Sequence, residues 1–129
     1  YIVLDVAGRD SAEFRSALLT ADVLIIPTQP SQTDIEVLPF VLRLVNTAKQ
    51  VNKNLKTFVV LNKAPTNNKS TEIDAALELL QQVKSVKTLN TILRDRKQFR
   101  DAMIEGKSVL EMGSSKAKDE LNEFLVEIL

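Results

Sequence analysis

The stretch 21–45, ADVLIIPTQPSQTDIEVLPFVLRLV, decides how the chain is read. Val23 to Ile26 is a continuous apolar run, the pattern of a strand covered on both faces rather than on one. A polar loop containing Pro30 follows. Thr33 and Glu36 then carry a capping-box signal, and Ile35, Leu38, Leu42, Val45 and Ala48 recur on one face of a helix. Pro39 falls inside that pattern beyond the first turn, which predicts a kink. A buried strand feeding a short loop and an amphipathic helix is the repeating unit of a parallel α/β sheet.

The same unit recurs on either side. Tyr1–Leu4, Thr57–Leu61 and Thr88–Leu93 read as further buried strands. Asp10 with Glu13 predicts a helix to about Thr20. Ile73, Ala76, Leu77, Leu80 and Val83 mark another helix, and Phe99, Met103 and Ile104 a short one. Ala117, Leu121, Phe124, Leu125 and Ile128 mark the last. The predicted fold is α/β, a mostly parallel three-layer sheet flanked by helices, in one domain over 1–129, its ligand beyond the carboxyl ends of the strands.

Composition narrows the chemistry. The chain has 129 residues, with Lys+Arg and Asp+Glu both 17, so net charge selects no partner. It contains no Cys, which excludes disulfides, thiolate metal sites and a Cys nucleophile, and no His, which excludes Ser-His-Asp triads and histidine metal sites. No apolar run reaches the roughly 18 residues of a membrane span, and no secretory leader is evident, so a cytoplasmic protein without a membrane partner is expected.

Four constellations carry chemistry. In YIVLDVAG, Asp5 ends the first predicted strand and Gly8 follows, as a carboxylate for Mg²⁺ and a small residue near a phosphate would. An isolated D-x-x-G also serves a purely structural turn. In VVLNKAP, Asn62 and Lys63 leave a strand. An N-K-x-D run there reads guanine, but Pro65 has no acceptor, whereas the Asn62 amide can bond an adenine edge. In IEGKSVLE, Gly106-Lys107-Ser108 imitates the end of a phosphate loop. Asp101 occupies the place of the first glycine of G-x-x-x-x-G-K-[ST], so it is not one. Finally, residues 84–107 hold seven Lys/Arg against three Asp/Glu. Lys84, Lys87, Lys97 and Arg100 are candidates to touch DNA phosphates without reading sequence, the alternative being a solvated face with local salt bridges.

In this order, Asp5-x-x-Gly8, ADVLIIPTQPS, VVLNKAP and FRDAMIEGKSVLE resemble the ParA/MinD family of deviant P-loop ATPases, and above all the plasmid and chromosome partition ATPases, along essentially the whole chain. The resemblance implies a P-loop NTPase-like sheet. It makes Asp5 the Walker B carboxylate for Mg, places Gly8 near the γ-phosphate and puts Asn62 on adenine. Pro30 and Ser31, with Arg94 and Arg96, would lie near the nucleotide or a dimer partner. It further implies ATP, a homodimer, nonspecific DNA binding and a ParB-like centromere-binding partner. The family's K-G-G-x-G-K-[ST] loop is absent. The expectation is a C-terminal portion lacking the P-loop strand and helix, and inactive as an ATPase alone. The missing strand would lie between Tyr1–Leu4 and Val23–Ile26. In the last helix Lys116 and Lys118 are outnumbered by Asp119, Glu120, Glu123 and Glu127, which favours partition members over membrane-binding ones. Without cysteines, nitrogenase-type relatives are excluded.

Two other readings stand beside this one. Asp5, Thr28 and Lys63 at successive strand ends are the acceptor, switch and phosphate sensor of a receiver module, though the acidic pair such a module needs is missing. A non-catalytic interaction fragment with an exposed sheet edge is the other.

Overall fold

The computed structural model describes residues 1–7, 10–67, 70–83 and 86–129. Three parallel strands, β1 (Val23–Thr28), β2 (Lys56–Ala64) and β3 (Lys87–Arg94), lie in the order β1-β2-β3. The crossovers are α2 (Gln32–Lys49) and α3 (Thr71–Gln81); α1 (Ala12–Thr20) precedes β1. After β3 come α4 (Lys97–Ile104), a 3₁₀ turn (Val109–Glu111) and α5 (Lys116–Ile128).

Alternation along the middle strand builds three layers. Val59 and Leu61 pack with Ile35, Leu38 and Leu42 of α2 and with Ile73, Ala76 and Leu80 of α3. Phe58 and Val60 point the other way, to Leu89, Phe124 and Ile128, so α5 covers the second face. Both faces of β2 are thus closed, as its unbroken apolar run requires. Phe14 and Leu18 of α1 extend the first layer against Val45 and Ala48.

Three sequence expectations are corrected. Tyr1–Leu4 is not a strand: the four residues are unpaired and 58–108% exposed, and only Val6 returns to pack near β1. An apolar run becomes a strand only when an edge accepts its hydrogen bonds, and these residues do not take the free edge of β1. The first two helices are capped by Ser11 and Ser31, whose hydroxyls accept from Phe14 N and Asp34 N. Asp10 is held instead by Arg15 at 2.6 and 2.7 Å, and those hydrogen bonds keep its carboxyl below the usual range. Met103 and Ile104 do not face the core. They are 80% and 84% exposed, and Ala102 takes the buried position on α4. α2 runs on through Pro39 as one helix.

The two edges of the sheet are finished differently. Along β1 runs an apolar groove of about 380 Å³, lined by Val6, Leu24, Ile26, Val37 and Val41. Along β3 lies α5. Between the pairs Val59↔Thr88 and Leu61↔Ile92, β3 carries extra residues. That bulge turns two successive N–H groups, of Asn90 and Thr91, onto one Glu127 carboxylate at 2.8 and 3.0 Å. The Asn90 amide and the Thr91 hydroxyl donate to the same group. Burial pushes the Glu127 carboxyl up, but these donors and the nearby Lys87 charge outweigh burial and hold it below the ordinary 4.5.

Candidate functional site

At the carboxyl ends of the strands, three chain segments come together. After β1 the loop is fixed by its own polar groups. Ser31 N donates to Gln29 O at 2.8 Å, and Gln29 N to the Asp34 carboxylate at 3.1 Å. Pro30, half-buried, is carried on that loop.

At the end of β2 the register slips between Leu61 and Ala64, so Asn62 and Lys63 bulge from the ladder. Lys63 has φ 51, the left-handed region that a lysine adopts at a cost of about 1–3 kcal/mol. Bulges of this kind re-aim side chains beside binding sites. Asn62 is half-buried, and its amide makes no hydrogen bond among the described residues. Its donor and acceptor edge is therefore available to a base edge.

At the end of β3, Arg94 pairs opposite Ala64, and Asp95 N donates to Ala64 O at 2.9 Å. Arg94 and Arg96 both lean on Glu120 of α5, which is only 8% exposed. Arg96 donates through Nε and Nη2 to Glu120 Oε1 at 3.0 and 2.7 Å. Arg94 donates its backbone N–H to Oε2 at 3.2 Å, and its Nη1 reaches Oε1 only at 3.4 Å. A carboxylate buried to this degree needs such partners, since an unpaired one would be strongly penalised.

The candidate DNA-contacting residues are placed as follows. Lys97 bonds Asp101 at 2.8 Å, Arg100 pairs with Asp95, and Lys87 lies 5.6 Å from the Phe58 ring centre. Lys107 is paired with Glu105 at 2.9 Å. Each described cation of this basic run therefore has a local partner, with α5 supplying two of the carboxylates. The Lys97 and Arg100 pairs are exposed and worth only about 0–1 kcal/mol. Lys84 lies outside the described residues.

Gly8 also lies outside them. Asp5 is exposed and follows no strand. Among the described residues no group of three or more acidic side chains converges to hold a metal. The acidic cluster that the receiver reading needs is not formed among the described residues. Thr28 is 4% exposed with its hydroxyl donating to Ile26 O at 3.5 Å.

Gly106-Lys107-Ser108 has a structural explanation. Gly106, at φ 64, ends α4 in a Schellman turn, with Lys107 N donating to Ala102 O and Gly106 N to Met103 O. Ser108 then caps the 3₁₀ turn, reciprocated by Glu111. The resemblance to a phosphate loop is a helix terminus followed by a capping box.

Compared with known proteins, the chain is similar to Maintenance of carboxysome distribution protein A of Halothiobacillus neapolitanus. The two are 28% identical over 132 residues, an alignment that takes in 100% of this chain and 60% of that protein. The chain thus spans well under two thirds of that relative's length. No family model matches the chain. The similarity supports a ParA/MinD-like relation, in line with the α/β fold. Among the described residues, no helix is long and apolar enough to cross a membrane.

Sequence reading missed Glu120. The signal was available: it falls on the same helical face as Ala117, Leu121, Phe124 and Ile128, and a glutamate on an apolar face calls for a buried cation. The left-handed Lys63 had no signal, because lysine carries no preference for that conformation.

Proposed function

We propose that the chain is part of a ParA-like positioning ATPase, carrying the adenine side of the nucleotide site and the C-terminal helices. The observation that carries this reading is the whole-chain similarity to a protein named for distributing carboxysomes. The bulged Asn62–Lys63 segment at the carboxyl end of a parallel sheet agrees with it. By this reading Asn62 meets the adenine edge, and the Pro30–Ser31 loop and Arg94 border the nucleotide. Asp5 is the carboxylate assigned to magnesium and Gly8 the neighbour of the γ-phosphate. The lysines that grip phosphate belong to sequence outside these 129 residues. The added strand that carries them pairs with the free edge of β1.

The whole protein would bind ATP as a homodimer, contact DNA nonspecifically and release it on hydrolysis, with a ParB-like partner setting the cycle. Bound magnesium would neutralise the phosphates. This chain's part is to orient the base and border the phosphates, since phosphoryl transfer needs positioning and charge rather than a covalent nucleophile. Lys87, Lys97 and Arg100, with Lys84, are the proposed DNA contacts. The exposed ion pairs of Lys97 and Arg100 are weak enough for a polyphosphate to displace, at a salt dependence of about 0.9 per phosphate neutralised.

Calorimetry with ATP and GTP tests this reading. We expect weak binding that prefers ATP, a preference lost in Asn62→Ala, and no turnover by the chain alone. A GTP preference, or metal-dependent hydrolysis by the chain alone, would overturn it.

A further inference from the structure

The two arginines at the end of β3 are not equivalent, although in sequence they look like a pair. Arg96 spends its guanidinium on Glu120: Nε and Nη2 both converge on Oε1 at 3.0 and 2.7 Å, and its side chain is only 17% exposed. Arg94 is anchored through its backbone N–H, at 3.2 Å from Oε2. Its guanidinium gives the same carboxylate a single long contact of 3.4 Å. Most of the donors of that fork are unspent among the described residues.

Glu120 is one negative charge facing two positive ones, and Lys63 stands exposed at the adjacent strand end, in the bulge opposite Arg94. Asp95, between the arginines, is turned to Arg100 and does not neutralise them. The local balance at the carboxyl end of the sheet is therefore cationic. It is also preorganised, because Arg94 is held at its backbone while its guanidinium, on a side chain 24% exposed, keeps most of its donors unspent among the described residues.

We propose that Glu120 is a positioning residue with two tasks: it commits Arg96 to the fold, and it aims Arg94 as the arginine that contacts a phosphate oxygen of the bound nucleotide. This rests on the nucleotide-site reading above. It goes beyond that reading by separating Arg94 from Arg96 and by giving a role to a glutamate on α5. An arginine fork matches phosphate oxygens in a bidentate manner that a lysine does not.

The test uses the intact chain and two probes, inorganic tripolyphosphate and ATP, titrated at fixed low ionic strength, with thermal unfolding followed in parallel. Arg94→Gln is expected to weaken tripolyphosphate binding about tenfold or more while leaving Tm nearly unchanged. Arg96→Gln is expected to lower Tm clearly, because Glu120 is left buried with only the Arg94 backbone N–H and one long guanidinium contact. Glu120→Gln gives the decisive sign. Removal of a negative charge beside the site, acting through charge alone, would tighten anion binding; loss of positioning weakens it. We expect weakening, partly restored in Glu120→Asp.

Unchanged affinity in Arg94→Gln, tighter binding in Glu120→Gln, or no binding of tripolyphosphate by the unsubstituted chain would each overturn the proposal. The two probes keep the two readings apart. Arg94-dependent tripolyphosphate binding with no gain from the adenosine of ATP would sink the adenine reading and leave this proposal standing.

Discussion

The two edges of one small sheet are treated in opposite ways. At β3 the outward N–H groups of Asn90, Thr91 and Arg94 are taken up by two glutamates of α5, and the bulge that frees two of them is matched to a single carboxylate. At β1 the outer edge has no partner strand among the described residues. An apolar groove lies beside it, and the β-rich Tyr1–Leu4 segment is left exposed nearby. Natural sheets block free edges with charge, proline or cover. β3 is covered. β1, VLIIPT, offers only Pro27. The contrast teaches that β3 is a finished boundary of the fold, whereas β1 has the composition of an interior strand, as the ParA-like reading requires if a further strand pairs there.

The largest expected effect lies at the finished edge. Glu127→Ala leaves two strand N–H groups and the Thr91 hydroxyl without their acceptor. It is expected to cost about 2 kcal/mol, read from chemical denaturation. A loss below about 0.5 kcal/mol would mean that water satisfies this edge as well as the glutamate does, and the contrast between edges would fade.

A smaller effect follows from acid. The folded carboxyl of Glu127 lies below its ordinary 4.5, so its contribution to stability is full above that value and is lost as pH falls through the lower folded one. Denaturation across the acid limb should therefore show a shallower fall of stability in Glu127→Gln than in the parent. Parallel acid limbs would remove this carboxylate from the account.

Smallest in stability, though not in behaviour, is the open edge. Val23, at the start of β1, is 37% exposed. Val23→Lys is expected to change stability by no more than about 0.5 kcal/mol while suppressing any concentration-dependent association seen by sedentary mass measurements such as light scattering. Association that persists at full strength in this variant would place the sticky surface elsewhere, for example at Met103 and Ile104.

How much of this was legible follows the range of the interactions. Strands β1, β2 and β3 and the helices between them could be read because a continuous apolar run and a 3.6-residue period are local signals. The caps were misplaced by one or two residues because Asp10 and Ser11, or Ser31 and Thr33, are chemically equivalent candidates, and only the turn geometry chooses between them. Tyr1–Leu4 was misread because strand formation depends on a neighbour, which no local pattern contains. The basic run 84–107 looked unbalanced because two of its counter-charges, Glu120 and Glu127, lie on α5, far along the chain. Asn62 could be singled out by its motif. The bulge that presents it could not, since a register slip belongs to the strand pair rather than to either strand.

The most direct test of the central claim is residue-resolved amide hydrogen exchange on the folded chain. The account predicts slow exchange at Asn90, Thr91 and Arg94, although they face outward from the sheet, and fast exchange at the outward-facing amides of β1. Uniform protection along β1, or exchange at Asn90 and Thr91 as fast as in an unstructured peptide, would contradict it.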